Sequence, residues 1–125
     1  MEELISIGRQ FVQAMHDRRG IAHVDEIYAE DAESIEAVTP PGRDVRIAKR
    51  RDAIKAKRID WVASHEIRRL EADGPYVHPP NQFAVRFEAE VVQKSTGRVM
   101  TLREIAKYTV EYGKITREEF FMLPK

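Results

Sequence analysis

The feature that most constrains this chain is the stretch 82–91, where Phe83, Val85, Phe87, Ala89 and Val91 alternate with Gln82, Ala84, Arg86, Glu88 and Glu90. A period of two marks a half-buried β-strand, because successive side chains point to opposite faces. Ser95-Thr96-Gly97 then reads as a turn, residues 99–112 as a long strand, Tyr112-Gly113 as a tight turn and residues 114–122 as the last strand. Residues 65–72 form a further candidate strand, ended by Asp73-Gly74-Pro75.

The turns predict registers. A two-residue loop at Tyr112-Gly113 sets Glu111 against Lys114, Val110 against Ile115, Ala106 against Glu119 and Lys107 against Glu118. A Thr96-Gly97 turn sets Val91 against Leu102, Phe87 against Ala106, Val85 against Tyr108 and Glu90 against Arg103. A slip by one residue would move the Phe87 face onto Arg103 and Lys107, so burial selects this register. One face is then expected to hold Leu102, Glu104, Ala106, Tyr108, Ile115, Arg117, Glu119 and Phe121. The other mixes charges with Ile105, Phe120 and Met122, which suits pairing with a second copy. A homodimer through that face is expected.

The first half reads helical. Leu4, Ile7, Phe11 and Met15 recur at three- and four-residue steps, and Gly20 is placed to stop that helix. A short second helix carries Val24, Ile27 and Tyr28, and residues 32–38 form a short strand ended by Pro40-Pro41-Gly42. A third helix spans about 49–64, with Ile54, Trp61 and Val62 as its buried contacts.

At 125 residues, with no linker or repeat, the chain is expected to be one domain, 1–125. Lys+Arg and Asp+Glu balance at 21 each, so no global field argues for nucleic acid or an anionic membrane. The absence of cysteine removes thiolate metal sites and a Cys nucleophile. His16, His23, His65 and His78 have no metal-ligand spacing, so neither metal nor cofactor is expected. The acidic start Met1-Glu2-Glu3 is unlike a signal peptide and no apolar run reaches spanning length, so a cytoplasmic location is expected. Residues 43–58 hold eight basic side chains against Asp44 and Asp52. Without interleaved aromatics or a phosphate-binding motif they read as a solvated helix face rather than a nucleic-acid contact.

Helices followed by a long-stranded sheet, together with four segments, resemble the nuclear transport factor 2-like superfamily, in particular its SnoaL-like bacterial members related to polyketide cyclases and ketosteroid isomerase. The segments are Tyr28-Ala29-Glu30-Asp31-Ala32 leading into Ser34-Ile35-Glu36, Gly74-Pro75-Tyr76-Val77, Phe83-Ala84-Val85-Arg86-Phe87, and 113–121. The resemblance implies an α+β fold in which a cone-shaped, curved antiparallel sheet wraps three N-terminal helices around a small-molecule pocket. It implies proton-transfer chemistry of the isomerase, cyclase or dehydratase kind on a small apolar carbonyl compound, or a non-catalytic binding or dimerisation module of the same fold.

Counted from Tyr28, Glu36 stands where the resemblance places the isomerase's general base. A glutamate can take a proton from a carbon acid in a site that desolvates it. The isomerase's oxyanion tyrosine has no counterpart, since helix one has none, and its protonated acid falls near Glu104 or Ala106. Glu36, His65 and Glu104 are therefore the candidate catalytic residues. Tyr28, Trp61, Tyr108, Arg117, Glu119 and Phe121 are the candidate ligand contacts. Arg117 with Glu104 or Glu119 also fits a purely structural ion pair.

Overall fold

A computed structural model describes residues 1–39 and 45–123. The elements are α1 (Glu2–His16), α2 (Gly20–Ile27), β1 (Tyr28–Ile35), β2 (Ile47–Lys49), α3 (Arg51–Ser64), β3 (His65–His78), β4 (Gln82–Gln93), β5 (Val99–Glu111) and β6 (Lys114–Met122). The turn expected at Pro40-Pro41-Gly42 lies outside the described residues. No helix among the described residues is long and apolar enough to cross a membrane.

The α+β architecture agrees with the expectation, with one correction to the sheet. The six strands run β2-β1-β6-β5-β4-β3 in a curved, unclosed sheet, and β1 pairs with β6 in parallel. The sheet is therefore mixed, because β1 is separated from β6 by α3 and four strands and meets it running the same way. In α1, Leu4, Ile7 and Phe11 face the core. Gly8 lets this helix close on β3: a Cβ there would meet Pro75 Cβ at 2.6 Å. Gly20 opens α2 instead of ending α1, and Tyr28 begins β1. In α3 only Ile54 is fully buried; Val62 is 42% exposed. Asp73-Gly74-Pro75 does not end β3, which continues to His78 through a register shift between Asp73 and Tyr76.

The two hairpins depart from the expected registers in different ways. Between β4 and β5 the loop is Lys94–Gly97, four residues rather than two, closed by Gln93 N–H donating to the Arg98 carbonyl (2.9 Å). The ladder moves by two: Val85 faces Ala106, Phe87 faces Glu104, Val91 faces Met100 and Arg103 faces Glu88. An even shift leaves every side chain on its face, so Val85 and Tyr108 still share the core.

Between β5 and β6 the tight turn forms as expected, with Tyr112 (φ 51°) and Gly113 (φ 76°) both in the left-handed region that a two-residue hairpin turn demands. Val110 faces Ile115, but beyond it Thr109 faces Arg117, which makes Thr116 the extra residue of a bulge. This odd shift turns the rest of β6 over. Glu118 and Phe120 oppose Tyr108 and Ala106 on the inner face, whereas Arg117, Glu119 and Phe121 lie on the outer face. The inward placement expected for Arg117, Glu119 and Phe121, and the outward one for Phe120 and Met122, are corrected accordingly. Lys107 faces Glu119, not Glu118 (3.5 Å).

Candidate functional site

The interior of the cone has two adjoining regions of different chemistry. In one, Tyr108 stacks on Phe83 (ring centroids 4.9 Å apart) and Phe11 tilts against Tyr108 (4.4 Å). Across the β5–β6 ladder from Tyr108 lies Glu118, fully buried on β6. A buried carboxylate is tolerated only with good partners, and Glu118 has four. Its Oε1 accepts from the Tyr28 hydroxyl and from Arg58 Nη2 (3.1 Å), its Oε2 from the Ser34 hydroxyl (2.6 Å), and Lys57 Nζ stands 3.9 Å from Oε2.

The partners come from β1 and α3. Tyr28 and Ser34 point inward from β1, while Ile54, Lys57, Arg58 and Trp61 recur at the spacing of one helix face. Lys57 and Arg58 had been grouped with a solvated basic face. Instead they turn into the cone, with side chains only 16% and 17% exposed. The rest of that basic segment is partly paired at the surface, Arg50 with Glu30 (2.9 Å) and Lys55 with Asp25 (2.5 Å).

Lys57 also holds Glu36 (2.6 Å). Near them on β5 is Glu104, which makes no hydrogen bond or ion pair among the described residues. Burial, and then the neighbouring anions Glu36 and Glu118, push its pKa up to about 7 against the pull of Lys57. Burial likewise raises Tyr28 and Tyr108, so both phenols stay neutral and can donate. A carboxyl raised that far can exchange its proton near neutral pH, the condition for an acid–base group.

The expected site residues fall into three places. Glu36, Arg117, Glu119 and Phe121 share an open groove of about 600 Å³ at the ends of β1 and β6, also lined by Phe120 and Met122. Glu104 does not line that groove; it faces Met122, which does, across the β5–β6 ladder. Tyr28 and Tyr108 are inside the cone, the former committed to Glu118. Trp61 and His65 form a stacked pair (4.5 Å) at the α3–β3 junction, where His65 Nδ1 lies 2.9 Å from Ser64 Oγ and 3.0 Å from the Trp61 carbonyl. No hydrogen bond or ion pair among the described residues joins His65 to Glu36 or Glu104. Sequence reasoning missed Ser34, Lys57, Arg58 and Glu118. The helical spacing of Ile54, Lys57, Arg58 and Trp61 was the signal that pointed to two of them.

A family model described as "SnoaL-like domain" matches residues 6–122. The chain belongs to the SnoaL-like family. Among solved structures, this SnoaL-like domain is similar to a Mesorhizobium loti protein provisionally described as a SnoaL-like polyketide cyclase. The two are 32% identical over 93% of this chain and 96% of the other, with a TM-score of 0.84. At the level of fold it also resembles a nuclear transport factor 2-like protein from Burkholderia pseudomallei, 20% identical over 98% of this chain and 92% of that one (TM-score 0.74). TerC, crystallised with polyporic acid, has the same fold at 17% identity, over 97% and 92% of the two chains (TM-score 0.69). No curated protein matches it.

Proposed function

We propose that this SnoaL-like protein binds a small, largely apolar carbonyl compound and moves a proton on it, with Glu104 and Glu36 as the acid–base pair. The observation that carries this reading is the unpartnered, half-buried carboxyl of Glu104 beside a second carboxylate that has its own cation. A protonated Glu104 can donate to a carbonyl oxygen while Glu36 removes a proton from the adjacent carbon, which yields the enol; the reverse transfers return a ketone. The polyketide cyclase description of the 32% identical relative supports a carbonyl-bearing substrate. Trp61, His65 and Phe121 are proposed as flanking contacts, with Tyr108 behind them in the closed core.

The test starts with native mass spectrometry of the purified protein to find a retained ligand. With that ligand as substrate, Glu36→Gln and Glu104→Gln should each cut turnover by roughly 10²–10⁴-fold while binding persists. A ligand that is bound but never converted would leave the non-catalytic binding module as the function.

We also infer self-association through the outer sheet face. Phe121 (49% exposed) lies opposite Ile105, and Ile47 pairs with Ile35 across the β1–β2 edge, which leaves apolar surface there. Sedimentation should show a dimer at tens of micromolar that Phe121→Asp weakens; a wild-type monomer would count against it.

A further inference from the structure

Two relays of the same form end on Glu118. In the first, Arg58 donates to the Tyr28 hydroxyl (2.6 Å), which donates to Oε1. In the second, Lys57 donates to the Ser34 hydroxyl (2.5 Å), which donates to Oε2 (2.6 Å). Arg58 ends inside the protein, its other nitrogen donating to the Gly20 carbonyl (2.9 Å). Lys57 differs because its ammonium reaches on to Glu36 at 2.6 Å. It therefore ties the buried carboxylate to the one on the groove, with the Phe120 ring 5.2 Å from Nζ.

An ammonium has three N–H donors, and two of these are taken by Ser34 and Glu36. Lys57 makes no ion pair with Glu104. Two neighbouring carboxyls do not ionise independently, and a local cation decides which one ionises first. We propose that Lys57 is the positioning residue of this site: anchored to Glu118 through Ser34, it holds the Glu36 carboxylate fixed at the groove and leaves Glu104, which it does not bond, as the carboxyl that exchanges its proton. This rests on the acid–base reading given above.

Charged and titratable groups face Lys57 and Glu36 from several elements, and Arg46, Arg117 and Glu119 line the groove with Glu36. β1 presents Tyr28 and leads to Glu36, α3 presents Arg58, β5 presents Glu104 and Tyr108, and β6 presents Glu118. His65 on β3 is engaged with Ser64 and Trp61.

The experiment follows the side-chain carboxyl carbons of Glu104 and Glu36 by NMR in the full chain, from about pH 4 to about pH 9. In the wild type Glu104 should titrate in one step. In Lys57→Met the two carboxyls should share the proton, so that both resonances follow the same two steps. Lys57→Arg should restore the single step. Ser34→Ala frees the ammonium without removing its charge, so it should show the second step at smaller amplitude; it also serves if Lys57→Met does not fold. A purely structural lysine would lower the melting temperature yet leave the Glu104 curve unchanged. A variant curve that superimposes on an elevated wild-type curve overturns the role of Lys57 alone. A wild-type Glu104 that titrates in the ordinary carboxylate range removes the proton carrier, and both proposals fall with it.

Discussion

Glu118 and Glu119 are neighbours in the chain and carry the same side chain, yet they live in opposite environments. Glu118 is fully buried on the inner face of β6, held by two hydroxyls and Arg58, with a second cation near. Glu119 lies on the outer face, paired with Arg117 (3.1 Å) and Lys107 (3.5 Å), both substantially exposed. The difference comes from one extra residue, Thr116, which turns the strand over after Ile115. It shows that the identity of a carboxylate says little about its role until the face it occupies is known. A charge in water and a charge in the core obey different energetics.

The largest expected effect tests the inner member of the pair. Glu118→Ala strands Arg58, Tyr28 and Ser34 in the interior and should cost about 3–5 kcal/mol in urea unfolding. A loss under about 1 kcal/mol would mean that the inner and outer faces are not so different after all. Next comes Glu104, which shares the inner face. Its folded pKa of about 7 lies above the ordinary 4.5, so the folded state binds the proton more tightly than the unfolded chain does. The resulting stabilisation is complete below about pH 4.5 and is lost as pH rises through about 7. Glu104→Gln should flatten that fall and leave the variant relatively more stable than wild type at alkaline pH. Unfolding curves at several pH values check this, and identical slopes for the two proteins would contradict it. The smallest effect belongs to Glu119→Ala, whose surface pairs should contribute only about 0.2–1 kcal/mol, less at high salt.

Much of the fold was legible because apolar periodicity reports faces directly. The alternation of Phe83, Val85 and Phe87 placed β4 correctly, and Leu4, Ile7 and Phe11 did the same for α1. Even the wrong loop length at residues 94–97 did no harm to the faces of β4 and β5, since a shift of two preserves them. The candidate site was less legible. Glu36 and Glu104 were recognised as candidates through the family resemblance. The side chains that hold Glu36 in place, Lys57 and Ser34, were not. Lys57 and Arg58 sit in a run of basic residues whose composition suggests solvent, and only the helix's packing against β1 turns two of them inward, toward Glu118.

By itself the sequence determined the three helices and five of the six strands (β2 at Ile47–Lys49 was not foreseen), the tight turn at Tyr112-Gly113, the inner faces of β4 and β5, and the SnoaL-like kinship. These depend on local preference and on a two-residue period that survives small errors of alignment. Only the tertiary structure decided the parallel β1–β6 pairing, the bulge at Thr116 and the burial of Glu118 in place of Glu119. The physical reason is that burying a carboxylate is favourable only when distant partners converge on it. Tyr28 and Ser34 lie more than eighty residues from Glu118 along the chain and Arg58 lies sixty away, so no local pattern records that they meet.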